Sequence, residues 1–420
     1  MSGHRAVVVL DDDPTGTQCS RDLPVLLDPA ADPTPELTGG DGAVHILTNT
    51  RALPAVEAVR LVRSVRERVD AAAARLGVEV EYVLRGDSTL RGHVFAEADA
   101  FGAAGQVLLF VPAFPAAGRT TAGGVHYVEV DGRRVPASET EFARDPVFGY
   151  TTSTMVDWVR EQGARPAYSV PAAGVARALA TAPPGAVVVP DAGADADLAL
   201  VSAALDGARA AGRGVVVRCA APFAALRSGH LATSPVAGTP SLGPTLVGCG
   251  SHTGASTAQL AALADHLAAP VRTLSTVAAL PEPAGAAGRL ATAATADLTD
   301  RGLAILASER VRRAEHHRLD HGEAVMRALC AAVAQLRHHG LTAVIAKGGI
   351  TSAEVARHGL GARRARVRGP LLTGVARWRV PVGTATVDYA VVPGNVGGAR
   401  TLIDVAHALG VVSPSPTPRS

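Results

Sequence analysis

The sequence predicts an α/β protein of two domains, each a mostly parallel sheet flanked by helices. Short β-branched apolar runs alternate with Ala/Leu/Val stretches of helical spacing, the pattern of strands covered on both faces by crossover helices. With 420 residues the chain is long for one hydrophobic core. A stretch rich in Gly, Pro, Ser and Thr at 228–244 has no helical period and divides it. The expected domains are therefore 1–235 and 236–412, followed by a disordered tail at 413–420.

The expected strands lie at 6–10, 43–48, 80–84, 106–111, 186–189, 214–218, 245–247, 303–306, 343–346 and 387–392. The segment 53–76 illustrates the helices between them. Val56, Val59, Val62, Val65 and Val69 recur three or four apart, arginines fill the other face, and Gly77 supplies a stop. Segments 255–268 and 322–339 read the same way. Residues 28–42 form a Pro/Gly-rich surface loop, and 132–150 a long irregular connection of the kind often used for function. No internal repeat is present.

A net charge of +2 gives no reason to expect a nucleic-acid or membrane partner. No stretch approaches the roughly 18 apolar residues of a membrane helix, and the first apolar run stops at three aspartates. Cys19, Cys219, Cys249 and Cys330 form no CxxC pair, so a reducing, cytoplasmic setting is expected. A homodimer is an open alternative to a monomer. Of the 40 basic residues only Lys347 is lysine, and its place in a glycine-rich motif invites a functional reading.

In open parallel sheets ligands bind beyond the carboxyl ends of the strands, and the polar clusters sit there. The first half offers Asp11-Asp12-Asp13-Pro14-Thr15-Gly16-Thr17, the run from Arg85 to His93, and Pro112-Ala113-Phe114-Pro115 with Arg119-Thr120-Thr121. Carboxylates, arginines and hydroxyls suit a polyhydroxylated anion. Asp12 and Asp13 are candidates for binding or activating a hydroxyl or holding Mg²⁺ through water, unless Asp13 only caps a helix starting at Pro14. Arg91 is a candidate carboxylate clamp, with Asp87 and Ser88 on the hydroxyls. The alternative is an Asp87–Arg91 ion pair.

The second half offers Gly248-Cys249-Gly250-Ser251-His252-Thr253-Gly254, Lys347-Gly348-Gly349-Ile350-Thr351-Ser352 and Pro393-Gly394-Asn395-Val396-Gly397. Glycines and hydroxyls after strands suit phosphates held by backbone N–H groups. The first turn resembles a dinucleotide fingerprint, but the next strand, 271–275, ends without the acid that would bind a ribose. A tight turn without ligand stays open. Walker A is excluded because the only lysine precedes glycine, and the HRD and DFG motifs are missing. His316, His317, Asp320 and His321 have a metal-like spacing, yet arginines crowd them and an exposed polar face is the simpler reading.

In this order the motifs resemble the four-carbon acid sugar kinase family, over nearly the whole chain. Its strand-DD-x-TG motif is matched by Asp12 to Gly16, and K-x-D-S-T-L-R-G-N by Arg85 to His93 with arginine for lysine and histidine for asparagine. The proline- and arginine-containing segment before G-x-x-Y is matched from Pro112 to Tyr127. Its G-S-x-S/T, G-G-x-T-S and P-G-N-x-G turns are matched by Gly250 to Thr253, Gly348 to Ser352 and Pro393 to Gly397. Many members have glutamate in place of Ile350 and lysine in place of Val392.

The resemblance implies an N-terminal substrate domain, a C-terminal ATP domain, an active site in the interdomain cleft, and transfer from ATP with Mg²⁺ to a threonate-, erythronate- or oxo-tetronate-like acid. Asp12, Asp13, Asp87, Ser88 and Arg91 would face the acid, and Ser251, Gly348, Gly349, Ile350, Thr351 and Gly394 the ATP. Asp13, just before the turn that Pro14 fixes, is the expected proton acceptor, and Asp12 has the metal-side or structural role. Lys347 or Arg119 is the expected cation near the transferring group. The alternatives are an NAD-dependent dehydrogenase of a hydroxy acid and a non-catalytic sugar-acid sensor.

Overall fold

The computed structural model describes residues 5–130, 132–238, 243–311, 319–394 and 396–411, the side chains of 319 and 320 excepted. His316, His317, the Asp320 side chain, Asn395 and the 413–420 segment therefore lie outside the described residues. The chain divides into two compact units, Met1–Ala232 and Thr233–Ser420.

The first unit is built on β1 (Arg5–Asp11), β2 (Leu23–Leu26), β3 (Ala43–Leu47), β4 (Glu79–Arg85), β5 (Val107–Val111), a hairpin sheet of β6 (Arg119–Ala122), β7 (Val125–Val130) and β8 (Arg133–Pro136), then β9 (Ala167–Val170), β10 (Val187–Pro190) and β11 (Val215–Cys219). Outside the antiparallel hairpin sheet the order is β2-β3-β1-β4-β11-β5-β10-β9, all parallel. β1 lies between β3 and β4, with Asp11 level with Leu47 and Arg85. That register brings three loop starts to one edge.

The second unit contains β12 (Thr245–Cys249), β13 (Val271–Leu274), β14 (Leu303–Ser308), β15 (Ala343–Lys347), β16 (Arg364–Leu372), β17 (Val375–Val382) and β18 (Ala385–Val392). Its order is β13-β14-β12-β15-β18-β17-β16, parallel as far as β18 and antiparallel through β17 and β16. Each unit has its own apolar core.

Every expected strand run falls on a strand. The short β2 and β9, the hairpin strands β6 to β8, and β16 and β17 are the strands outside the expected runs. β16 and β17 alternate arginine with apolar residues, so no continuous apolar run marks them. The helix at Ala55–Leu76 stops at Gly77, whose φ of 65° is the left-handed cap. Its buried stripe is Ala58, Val62, Val65, Val69, Ala72 and Ala73, while Val56 is 71% exposed. Six residues before Val62 on a 100° wheel, Val56 lies off the stripe. Helices Gly254–His266 and Leu319–Leu336 take the places expected at 255–268 and 322–339. Among the described residues no helix is long and apolar enough to cross a membrane.

Candidate active site

The aspartate triplet leaves β1 into a buried ionic network. Asp11 faces Arg85 Nη1 at 3.0 Å and His45 Nδ1 at 3.3 Å. Arg85 Nη1 also reaches Asp12 Oδ1 at 3.4 Å and donates to the Asp13 carbonyl at 3.0 Å. Arg218, from β11, donates through Nη2 to Asp12 Oδ2 at 2.9 Å and through Nη1 to Glu97. Arg51, in the turn after β3, donates to Asp13 and lies 3.2 Å from Asp87 Oδ2. Adjacent like charges persist because different guanidiniums share them out. Gly16 is obligatory here: a Cβ would sit 2.0 Å from Asp11 Oδ2.

The three aspartates differ in protonation. Burial pushes the Asp12 carboxyl up to about 6, against the pull of Arg218, Arg51 and Arg85. Burial also pushes Asp13 up, but Arg51, Arg85 and two hydrogen bonds from Thr15 outweigh it and hold Asp13 below the ordinary carboxylate range. Those bonds, from Thr15 N at 2.9 Å and Oγ1 at 2.5 Å, make Asp13 the cap of the turn Pro14–Cys19. Capping and ion pairing thus both occur at Asp13, the expected proton acceptor.

The turn after β4 is held from several sides. Asp87 accepts from Thr89 N at 3.2 Å, Thr89 Oγ1 at 2.6 Å and Arg91 Nε at 2.7 Å. Burial opposes the Asp87 charge, yet Arg91, Arg51, Thr89 and Arg85 together keep it well below its usual range. His126 donates from Nε2 to the Ser88 carbonyl at 2.8 Å, with Thr121 Oγ1 3.0 Å from its other nitrogen. Tyr150 donates to the Thr89 carbonyl at 3.0 Å. These anchors hold Leu90 at φ 68°, a costly conformation for a bulky residue. Arg91 lies over the Phe142 ring and 3.5 Å from Asp145. The Asp87–Arg91 pair is therefore formed. Arg119, on β6, donates to the Ala117 carbonyl.

In the second unit three turns converge with little charge, the Arg310 guanidinium donating through Nη1 to the Ser251 carbonyl at 2.7 Å. Thr253 caps helix Gly254–His266, accepting from Ser256 N at 3.2 Å. Ser256 Oγ donates to Ser251 Oγ at 2.8 Å or the Gly394 carbonyl at 2.9 Å, which also accepts from Thr253. Space is tight: a Cβ on Gly394 would meet Ser251 Oγ at 2.7 Å, and one on Gly250 would meet Thr351 Oγ1 at 2.3 Å. Gly348 takes φ 113° and donates to the Val392 carbonyl. Thr351 is buried, and Ile350 is 47% exposed at the start of helix Gly349–Glu354. Beside this cradle a small open cleft is lined by Gly250, His252, Thr276, Ser308, Glu309 and Met326, among others.

Lys347 differs from its expected part. It is completely buried, and Nζ donates to the Pro393 carbonyl at 2.6 Å. Burial pulls its ammonium down to about 8. It ties β15 to the 393–397 turn instead of presenting a cation to solvent.

Arg51 and Arg218 were not singled out in the sequence, although both carried a signal. Arg51 ends the Thr48-Asn49-Thr50-Arg51 turn just past a strand, where sites form. Arg218 interrupts Val215-Val216-Val217 in a strand buried on both faces, and a charge there requires partners.

Residues 7–227 match the model of a sugar-binding N-terminal domain, and 246–402 that of a nucleotide-binding C-terminal domain. A D-threonate kinase of Bordetella bronchiseptica is 38% identical over 226 residues, which are 52% of this chain and 50% of that protein. The chain thus spans about half the length of this curated relative. A solved Haemophilus influenzae protein from a domain family of unknown function superposes with a TM-score of 0.64 at 20% identity, over 96% of this chain and 100% of that one. A Salmonella typhimurium LT2 structure gives 0.70 at 21%, over 96% and 98%. At such identity these two likenesses speak to the fold alone.

Proposed function

Because the chain belongs to the four-carbon acid sugar kinase family, we propose that it is an ATP-dependent kinase phosphorylating a hydroxyl of a small four-carbon sugar acid such as threonate, erythronate or an oxo-tetronate. The observation that carries this reading is Arg51, one-fifth exposed and shared between Asp13 and Asp87. A guanidinium between two carboxylates can take a ligand carboxylate while those carboxylates accept from ligand hydroxyls. Arg51 and Arg91 bind the acid group, with Asp87, Ser88 and Arg119 around the hydroxyls.

We assign proton acceptance to Asp12 and not to Asp13. A carboxylate lifted to about 6 is matched to proton transfer near neutrality, whereas Asp13 is held ionised and engaged in its cap. In the second unit, Ser251, Gly348, Gly349, Ile350, Thr351 and Gly394 hold the ATP phosphates. The fit is steric: side chains on Gly250 or Gly394 would close the cradle. Mg²⁺ bound together with ATP would supply charge neutralisation of the transferring group. Lys347 positions the 393–397 turn.

A coupled ADP-release screen over four-carbon sugar acids and their 2- and 3-oxo forms tests the proposal. Turnover with at least one acid is expected. ADP release with none of them, together with acid binding, would replace the kinase by the sensor reading.

A further inference from the structure

Gly86 and Gly92 bracket the acid-site turn, and a side chain from another strand crowds both. A Cβ on Gly86 would lie 2.5 Å from Arg218 Nε and 2.6 Å from Nη2. On Gly92, at φ 121°, it would lie 3.1 Å from Asp12 Oδ2 and 3.3 Å from Arg218 Nη2. Arg218 is 1% exposed and Glu97 3%. Glu97 belongs to helix Val94–Ala100, which begins directly after the turn. A guanidinium so deeply buried needs charged partners: Glu97 Oε2 and Asp12 Oδ2 take Nη1 and Nη2, while Arg218 Nε and Glu97 Oε1 are buried without a partner.

We propose that Arg218, backed by Glu97, is a positioning residue of the acceptor site: its guanidinium fixes the Asp12 carboxylate and wedges the turn from Gly86 to Gly92 into one geometry. The inference rests on the kinase reading above and extends it to a strand that none of the recognised motifs includes. Its Nη1 and Nη2 are taken by Glu97 and Asp12, so Arg218 acts through Asp12 and through the turn that carries Asp87, Ser88 and Arg91.

The charges facing Asp12 define what its loss does. Arg85 approaches from β4, Arg218 from β11, Arg51 from the turn after β3 and Glu97 from the following helix. Asp11 and Asp13 flank it in the chain, and His45 of β3 stands behind Asp11. Arg218 makes the shortest contact to Asp12, and Glu97 pushes the opposite way. Removing Arg218 leaves Asp12 beside Glu97 with no cation between them.

The test uses the full chain and the variants Arg218→Met, Arg218→Lys and Glu97→Gln. Asp12 is first titrated by ¹³C NMR of its carboxyl without ligand, so no turnover is needed. Its midpoint is expected to rise by about one pH unit or more in Arg218→Met, and less in Arg218→Lys. In kinetics, KM for the acid is expected to rise about tenfold or more with KM for ATP unchanged. The acid limb of kcat/KM should move up with the titration midpoint. An unchanged midpoint and acid KM in a less stable protein would make Arg218 merely structural and overturn the proposal. If Arg218→Met does not fold, the near-isosteric Glu97→Gln decides: a lowered Asp12 midpoint with a raised acid KM supports it, and no change in either overturns it. Absence of turnover in the wild type would instead sink the kinase reading, with the titration still deciding the role of Arg218.

Discussion

The two units gather their polar groups in opposite ways. In the first, Asp11, Asp12, Asp13, Asp87 and Glu97 are interleaved with Arg51, Arg85, Arg91 and Arg218. In the second, the hydroxyls of Ser251, Thr253 and Ser256 and the backbone around Gly348 and Gly394 come together, with Arg310 on the Ser251 carbonyl and Lys347 on that of Pro393. A small acid carrying hydroxyls needs both charges at fixed places, because its carboxylate and alcohols make opposite demands. A polyphosphate needs many donors and little side-chain bulk. On the proposed reading the first site is therefore sensitive to charge and the second to volume.

The largest expected effect separates Asp12 from Asp13. Asp12→Asn should lower kcat by about 10²–10⁴, the range for a lost proton acceptor. Asp13→Asn keeps a capping oxygen and should stay within about tenfold of wild type. With Asp12 titrating at about 6, kcat/KM should fall as pH drops through that value, since the protonated carboxyl cannot accept. Equal losses in both variants, or a larger one at Asp13, would return the role to Asp13.

Next in size is the contrast of charge with volume. Arg51→Lys and Arg91→Lys should each weaken acid binding by about 1–3 kcal/mol, the scale of a charge-assisted hydrogen bond, and leave KM for ATP unaltered. Gly394→Ala should do the reverse, because its methyl meets Ser251 Oγ. Steady-state kinetics with each substrate varied in turn reads both. A Gly394→Ala enzyme with normal KM for ATP would remove that turn from the nucleotide site.

What the sequence made legible follows the same division. The apolar parallel strands and the glycine turns after them are local patterns, so β1, β4, β12 and β15 and their turns could be read directly. The ionic network could not. Which carboxylate meets which guanidinium depends on strands far apart in sequence, such as β11 against β4. The Asp13 cap was visible as Asp-Pro, yet its depressed protonation comes from Arg51, 38 residues away. Lys347 misled for a compositional reason. Its rarity marked it as important, but burial against Pro393 makes it an anchor.

The smallest expected effect is on stability, and its sign differs between the units. Asp13 and Asp87 are held below their ordinary range. Their contribution is present above about pH 4, the unfolded carboxylate value, and is lost as pH falls below it. Asp12 opposes them between about 4 and its folded value near 6, where rising pH costs stability. Lys347 acts on the second unit at the other end of the scale. Its folded value near 8 lies below the ordinary 10.5, so between those values the unfolded state binds more protons and stability rises with pH. One proton sets a ceiling of about 1.4 kcal/mol per pH unit. The chain has two tryptophans, Trp158 in the first unit and Trp378 in the second, both fully buried. Urea unfolding followed by fluorescence in Trp158→Phe and Trp378→Phe variants reports each unit separately. The Trp158 signal should weaken below pH 4, and the Trp378 signal should strengthen from pH 8 to 10. Lys347→Met should flatten that rise, and a slope unchanged by it would mean that another group titrates in the second unit.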